Sequence, residues 1–183
     1  MSAAAYGQAL FGSVSSPWGD VPGLSVDAAT ANPLLGGDAI DPLIDAADSA
    51  GGGIFCLVRT SNPGAADLFD ALAPDAPLYE RIAALLAERS DRLAGRSGLS
   101  GVGAVVGATE PRHLARVREL MPSAIFLIPG VGAQGGRPSD LGPAFGEHPA
   151  SVLVSASRSI AGAPDPRRAA DELRGELWRL GGA

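Results

Sequence analysis

Lysine is absent from this sequence, because all 14 of its cationic residues are arginine. Arginine stays protonated in proteins, so the chain has neither an ammonium group that readily donates a proton nor an amine that forms a Schiff base. The 25 glycines and 15 prolines indicate an arginine-biased, GC-rich coding style as the origin of this absence. Whatever its origin, the absence excludes every mechanism in which a lysine of these 183 residues takes part.

Cysteine is nearly absent as well, since Cys56 is the only one. It lies in the apolar run 54–58, which predicts a buried and unreactive thiol. A single cysteine excludes an internal disulfide bond, and this favours a cytoplasmic protein. No apolar run approaches the roughly 18 residues that indicate a membrane span, and residues 1–6 lack the basic and apolar regions of a secretory signal. We therefore expect no contact with a membrane.

Positive charge is also scarce, since the formal net charge is −6. A nucleic-acid surface needs clustered cations that neutralise phosphates, so we expect no nucleic-acid partner. Hydrophobic residues make up 46% of the chain and charged residues 19%, which is typical of a protein with a buried core. The length suits one domain, which we expect to span residues 1–183.

Short apolar runs alternate with amphipathic patterns along the whole chain. The predicted strands are residues 24–30, 54–59, 102–106, 124–128 and 151–154. The predicted helices are residues 2–11, 38–50, 77–93, 110–120 and 166–180, with Asp38 and Thr109 as N-caps of the second and the fourth. Near-continuous apolar strands alternating with helices indicate an α/β protein with a parallel sheet. The pattern fits either an open doubly wound sheet or part of a (β/α)8 barrel, whose usual length is about 250 residues.

Small or polar residues follow each of the five predicted strands. They are Asn32, Ser61, Asn62, Thr109, Gln134, Ser157 and Arg158. In both parallel-sheet architectures the carboxyl ends of the strands form the ligand-binding edge. The sequence therefore predicts a ligand site at that edge.

The glycine-rich segment Pro129-Gly-Val-Gly-Ala-Gln-Gly-Gly136 is the strongest local feature. Glycines allow backbone N–H groups to approach an anion closely. Arg158 follows the next predicted strand, and a guanidinium there can hold phosphate with two hydrogen bonds. We interpret the loop and Arg158 as a phosphate site; the competing interpretations are a surface arginine paired with an acid, and Gln134 as an ordinary turn residue.

The same glycines also fit the G-x-G-x-x-G pattern of dinucleotide-binding proteins. A dinucleotide site places a helix directly after the loop, whereas residues 137–143 are a poor helix. Arg158 at the end of the next strand would then suit the 2′-phosphate of NADP. An NADP-dependent enzyme on an open sheet is therefore the second enzyme hypothesis.

Other chemical motifs are weak. His113 and His148 have no cysteine or histidine partner at metal-ligand spacing, so we expect both to be solvated. Asp41, Asp45 and Asp48 fall on one helix face and are expected to be a hydrated surface. No G-x-S-x-G nucleophile motif occurs.

Four strand-end segments, taken in order, resemble a known family. They are Thr60-Ser-Asn-Pro-Gly64, Val105-Val-Gly-Ala-Thr109, Ile128-Pro-Gly-Val-Gly-Ala-Gln-Gly-Gly136 and Ser155-Ala-Ser-Arg-Ser-Ile160. The chain resembles orotidine 5′-monophosphate decarboxylase, in the subgroup with the Thr-Ser-Asn-Pro signature. Ala29-Thr-Ala-Asn-Pro-Leu-Leu-Gly36 is similar to the strand end that precedes this signature in that subgroup.

The resemblance implies an incomplete (β/α)8 barrel of about strands four to eight. The family works in the cytoplasm as a homodimer without metal or organic cofactor, and it converts orotidine 5′-monophosphate to uridine 5′-monophosphate and CO2 in pyrimidine biosynthesis. By this resemblance, Ser61 contacts the pyrimidine and Pro129 lines the base pocket. Gln134 and Arg158 hold the 5′-phosphate, and Gly135 and Ser157 belong to the same substrate-binding set.

The segments that resemble the family do not include its catalytic residues. Its Asp-x-Lys-x-x-Asp motif follows the third barrel strand, and its lysine protonates the carbanion left at the pyrimidine. In relatives a helix of the type Ala-Ala-Ala-Tyr-x-x-Ala-Leu-Phe-Gly comes shortly after this motif, and residues 2–12 resemble that helix. We therefore expect the sequence to begin just after the motif, and we expect this chain alone to be inactive. The alternative outside enzymology is a non-catalytic remnant that binds nucleotide or phosphate.

Overall fold

The protein is described from a computed structural model, and the structure describes residues 2–182. The strands are β1 (Ser13–Ser16), β2 (Gly19–Pro22), β3 (Ala28–Ala31), β4 (Gly53–Arg59), β5 (Leu72–Ala73), β6 (Ala76–Pro77), β7 (Ser100–Val106), β8 (Ala124–Ile128) and β9 (Val152–Val154). The α-helices are α1 (Ser2–Phe11), α2 (Gly37–Ala50), α3 (Ala65–Phe69), α4 (Leu78–Ala87), α5 (Pro111–Leu120), α6 (Gly142–Phe145), α7 (Arg158–Ala161) and α8 (Pro166–Leu180). No helix in this part of the chain is both long and apolar enough to cross a membrane.

The main sheet has five parallel strands in the order β3-β4-β7-β8-β9. This spatial order follows the order along the chain, so the sheet winds in one direction. A doubly wound sheet reverses its strand order at a switch point, whereas a barrel does not. The predicted α/β class is confirmed, and the strand order favours the barrel over the open doubly wound sheet.

The two faces of the sheet are covered to different extents. Ile54, Cys56 and Phe126 are fully buried in the core that the sheet forms with the helices. The alternate residues Phe55 and Leu57 of β4, and their counterparts in β8, are only half-buried. Because side chains alternate between faces along a strand, these half-buried residues mark the face that a closed barrel would enclose.

Both predicted helix caps are wrong. The residue that caps α2 is Gly36, and Asp38 lies in the first turn, where its charge favours the positive end of the helix dipole. The residue that caps α5 is Glu110 instead of Thr109, and neither helix has a side-chain capping hydrogen bond. The end of α2 is as predicted, since Gly51 is left-handed at φ 68° and its N–H reaches two carbonyl groups of the last turn.

The first predicted strand and the third predicted helix differ from the structure in length. The strand predicted at 24–30 begins only at Ala28, because the N–H groups of Leu24 and Val26 bond to carbonyl groups of α1. The helix predicted at 77–93 ends at Ala87 and is followed by a 3-10 turn at Ser90–Leu93. The hairpin of β1 and β2 was not predicted.

Arg118 is a buried cation behind β8, with an exposed fraction of 8%. Its guanidinium donates hydrogen bonds to the carbonyl oxygens of Ala144 at 2.6 and 2.8 Å and of Ala124 at 2.7 Å. It also lies 3.8 Å from the ring centroid of Phe126. Burial lowers the pKa of Arg118 to about 10, so the guanidinium is still charged at neutral pH. The hydrogen bonds of Arg118 thus connect the end of α5 to the segment around α6.

Candidate ligand site at the carboxyl ends of the strands

A small cavity opens beyond the carboxyl ends of β8 and β9. Its volume is about 200 Å³. The lining residues are Pro129, Gly130, Val131, Ala133, Gln134, Ser155, Ser157 and Arg158. Four residues predicted from the sequence to bind substrate therefore lie around one cavity: Pro129, Gln134, Ser157 and Arg158.

Ser61 is joined to this cavity through Gln134. The Ser61 hydroxyl donates a hydrogen bond of 2.7 Å to Oε1 of Gln134, across 73 positions of sequence. An amide side chain has one acceptor oxygen and one NH2 donor group. Because the oxygen is engaged by Ser61, the NH2 group of Gln134 is the part left to donate to a ligand.

Two glycines allow Ser61 to approach the neighbouring strand ends. A Cβ atom on Gly107 would lie 2.7 Å from Cα of Ser61, and one on Gly130 would lie 2.9 Å from Cβ of Ser61. Contacts this short are not tolerated, so both positions require glycine for the present arrangement. Gly130 also has φ 101°, a conformation that side chains disfavour.

The glycine loop is closed by its own backbone. Gly136 N–H donates to the carbonyl oxygen of Gly130 at 3.0 Å, and Gly135 N–H donates to that of Gly132 at 2.8 Å. Gly135 has φ 96° and does not line the cavity. Its N–H thus shapes the loop in this structure, and its role in substrate binding stays a prediction.

Arg158 stands exposed at the first position of α7 and lines the cavity. Among residues 2–182 it forms no ion pair with a carboxylate. The interpretation of Arg158 as a surface arginine paired with an acid is therefore not supported. An unpaired guanidinium beside a glycine loop is an arrangement that can receive an oxyanion.

An ion pair between Arg59, which is buried, and Asp70, whose side chain is 27% exposed, was not predicted. Nε and NH2 of Arg59 each lie 3.0 Å from a carboxylate oxygen of Asp70, and NH1 donates to the carbonyl oxygen of Thr60 at 2.6 Å. The exposed fraction of Arg59 is 7%. Hydrogen bonding from Arg59 lowers the pKa of Asp70 below its ordinary value.

His113 was expected to be solvated, and this prediction is wrong. Its exposed fraction is 5%, and its ring centroid lies 4.9 Å from that of Tyr79. Nε2 is 3.8 Å from Oδ1 of Asp70, whereas buried Nδ1 has no hydrogen-bond partner among the described residues. Burial, followed by the charge of Arg59, lowers the pKa of His113, so the ring is neutral at pH 7.

Cys56 does not line this cavity, and the described residues hold no metal-binding cluster. Cys56 is fully buried, which confirms its predicted burial, and this burial raises the pKa of its thiol to about 12. Within residues 2–182 no three His, Cys, Asp or Glu side chains are grouped so as to hold a metal ion. The glycine loop leads into a 3-10 turn at Pro138–Leu141 and the four-residue α6, so the long helix of a dinucleotide site is absent there. The NADP hypothesis is therefore not supported.

The five parallel strands are neighbours in chain order, and a polar cavity lies at their carboxyl ends. These two features define part of a (β/α)8 barrel, a fold whose enzymes have their active sites at that end. The fold matches the solved OMP decarboxylase of Leishmania donovani with a TM-score of 0.74 and 33% identity, over 100% of this chain and 64% of that one. It also matches the fold of the Methanocaldococcus jannaschii orotidine 5′-monophosphate decarboxylase, with a TM-score of 0.68 and 19% identity, over 84% of this chain and 63% of that one. The chain is a partial barrel.

A sequence model of the orotidine 5′-phosphate decarboxylase / HUMPS family matches residues 23–173, so this chain belongs to that family. The orotidine 5′-phosphate decarboxylase of Rhodopirellula baltica is 40% identical over 162 residues, which are 87% of this chain and 52% of that protein. The enzyme of Deinococcus radiodurans is 41% identical over 182 residues, which are 96% of this chain and 62% of that protein. The chain thus spans between about half and two thirds of the length of these relatives, and the resemblance drawn from the strand ends is confirmed.

Proposed function

We propose that this chain forms the nucleotide-binding part of an orotidine 5′-monophosphate decarboxylase, which releases CO2 and leaves uridine 5′-monophosphate. One observation carries the proposal: the Ser61 hydroxyl donates to Gln134, which lines one cavity with Pro129, Ser157 and Arg158. Membership of the decarboxylase family supports the choice of substrate.

Each of the six residues predicted to bind substrate has a proposed role. Arg158 pairs with the 5′-phosphate, and the NH2 group of Gln134 donates to it. Ser61 contacts the pyrimidine and Pro129 borders the base, while Gly135 and Ser157 complete the phosphate side. Binding energy from such a remote phosphate contributes to catalysis when it holds the reacting carbon in place.

The chemical step is proposed to need groups that this sequence does not contain. No lysine is present in the 183 residues, so none of them provides the ammonium group that protonates the pyrimidine carbanion. We propose that an Asp-x-Lys-x-x-Asp segment outside this sequence provides it, and that the complete enzyme is a cytoplasmic homodimer. The 183-residue chain alone is then a binding protein without turnover.

The binding proposal is tested by calorimetric titration of the chain with uridine 5′-monophosphate. We predict saturable binding, weakened at least about tenfold in Arg158→Ala, because a charge-assisted hydrogen bond is lost. Arg96→Ala is the matched control, since Arg96 is exposed and does not line the cavity. Absence of binding by the parent chain, or equal losses in both variants, would contradict the proposal.

The catalytic part of the proposal is tested by measuring CO2 release from orotidine 5′-monophosphate. We predict no turnover above background by the 183-residue chain, and turnover by a product extended upstream, if an Asp-x-Lys-x-x-Asp motif is encoded there in frame. Turnover by the chain itself would refute the need for a lysine. A stop codon directly upstream, together with binding by the chain, would favour the non-catalytic nucleotide-binding remnant.

A further inference from the structure

The strand that leads into Ser61 contains an irregularity near its end. In the pairing of β4 with β7, Leu57 lies opposite Val105 and Arg59 opposite Val106, so Val58 is an extra residue. Such a bulge changes the direction in which the following side chain points. Strict alternation would place Arg59 on the half-buried face with Leu57, yet Arg59 is buried against Asp70.

Arg59 holds both ends of the segment that carries Ser61. Asp70 is the C-cap residue of α3, and it receives two hydrogen bonds of 3.0 Å from the Arg59 guanidinium. The third hydrogen bond, of 2.6 Å, goes to the carbonyl oxygen of Thr60. The segment from Thr60 to Asp70 is therefore fastened at its start and its end by one side chain.

The carbonyl group of Thr60 belongs to the same planar peptide unit as the nitrogen of Ser61. Because the peptide unit is rigid, fixing that plane fixes the N and Cα atoms of Ser61, from which its side chain extends. On the other side, Gly107 N–H donates to the carbonyl oxygen of Arg59 at 2.8 Å. The hydroxyl of Ser61 then meets Gln134 at 2.7 Å.

We propose that Arg59, held by Asp70, is a positioning residue of the nucleotide site. It keeps the Ser61 hydroxyl on Oε1 of Gln134, and thereby keeps the NH2 group of Gln134 directed to the ligand. Arg59 does not itself line the cavity, so it acts through Ser61. This inference rests on the proposed function, because it assigns the pair to the same site.

Arginine is required for this role because three hydrogen bonds leave one planar group in fixed directions. A lysine at position 59 would retain the charge but would not reproduce the two-pronged contact with Asp70 together with the bond to Thr60. The chain offers a matched control pair. Arg89 contacts Asp41 through Nε at 2.9 Å and NH2 at 3.3 Å, and its NH1 donates to the carbonyl oxygen of Leu85 at 2.8 Å.

The test is a double-mutant cycle on affinity for uridine 5′-monophosphate, measured by calorimetry on the 183-residue chain. We expect Arg59→Lys and Ser61→Ala each to weaken binding about 2- to 12-fold, the range for one hydrogen bond. The double variant is expected to bind less than about twofold more weakly than Ser61→Ala alone, because the effect of Arg59 passes through Ser61. Arg89→Lys leaves the affinity unchanged. Equal losses from Arg59→Lys with and without Ser61, or a similar loss from Arg89→Lys, overturn the inference.

A second measurement without ligand separates this inference from the proposed function. We expect Arg59→Lys to move the NMR signals of the Gln134 NH2 group toward their positions in Ser61→Ala, while Arg89→Lys leaves them in place. Unmoved signals in Arg59→Lys overturn the inference even if the nucleotide binds. Moved signals support it even if the parent chain binds no uridine 5′-monophosphate, in which case only the proposed function fails. Asp70→Asn, with the same expectations, replaces Arg59→Lys if that variant does not fold.

Discussion

Small residues matter at this site as much as polar ones do. Ser61 reaches Gln134 only because Gly107 and Gly130 have no side chains, since a Cβ atom at either position would lie within 3 Å of Ser61. A short polar side chain is thereby held between two strand ends, where a longer one would not fit. The contact between Ser61 and Gln134 at the cavity therefore depends on the absence of side chains at Gly107 and Gly130.

His113 gives a prediction at the scale of the single residue. The pKa of His113 is lowered by burial, so the unfolded chain binds a proton that the folded chain does not. The free energy of unfolding should therefore fall as the pH drops through the ordinary value of 6.5, by at most about 1.4 kcal/mol per pH unit for one proton. We predict that His113→Phe reduces this slope, as measured by denaturant unfolding between about pH 7.5 and 5.5.

The control for this prediction is His148→Gln, which changes the other histidine of the chain. Asp70 acts in a different range, because its pKa is lowered and its contribution is lost only when the pH falls below the ordinary value of 3.8. An unchanged slope in His113→Phe, or the same reduction in His148→Gln, would show that His113 is not the responsible group.

The exposed residues of the candidate site could be predicted from the sequence, whereas the burial of Arg59 and His113 could not. Gln134 and Arg158 lie in the segments that come after apolar strands, and parallel strands bring such segments to one edge. Arg59 also ends an apolar strand, but its burial depends on a bulge and on Asp70, which lies 11 positions away. His113 was misassigned because its helical pattern did not show that Asp70 and Tyr79 would cover it.

At the scale of elements, hydrophobic periodicity located the regular helices and strands well. The bounds predicted for α1, β8 and α8 agree with the structure. Periodicity did not locate the hairpin of β1 and β2, whose strands are exposed almost throughout and so have no buried face. It also did not detect the end of α4, where Arg89 turns to contact Asp41.

Arg118 gives a prediction about how elements are held together. Replacing it by methionine should lower the free energy of unfolding by about 3 kcal/mol, because buried carbonyl groups lose their donors. Arg112→Met is the control, since Arg112 lies in the same helix with a side-chain exposure of 73% and should change stability by less than about 0.5 kcal/mol. Chemical denaturation measures both. Similar values for the two variants would show that the contacts of Arg118 contribute little.

At the scale of the whole molecule, the sheet has open edges at β3 and β9 in residues 2–182. Beside β9 lies an apolar groove of about 460 Å³, bordered by Leu153 and Trp178, whose exposed fractions are 49% and 64%. Unpaired strand edges and exposed apolar surface favour association. We predict that the 183-residue chain self-associates as its concentration rises, as measured by sedimentation velocity.

Leu153→Glu should weaken this association, because it places a charge on the edge strand. Leu72→Glu is the matched control, since Leu72 is 80% exposed and lies away from that edge in the hairpin of β5 and β6. A parent chain that stays monomeric at all concentrations would contradict the prediction, as would equal effects of the two substitutions.

The choice between an open sheet and a barrel could not be made from composition. Both architectures use apolar parallel strands and intervening helices, and they differ in which strands are neighbours. Neighbour relations depend on contacts between residues far apart in sequence, which periodicity does not report. The strand-end segments, from Thr60 to Ile160, allowed the family to be recognised, and the family implied the barrel.

Because the strands of the main sheet lie side by side in the order of the chain, a break between any two strand–helix units leaves two neighbouring arcs and not two interleaved sets. Ser61, Gln134 and Arg158 follow β4, β8 and β9, so a break that falls before β4 leaves all three in one arc that can be exchanged as a block. Recombination between related genes at such a junction would transfer the candidate ligand site as a whole to a new partner arc.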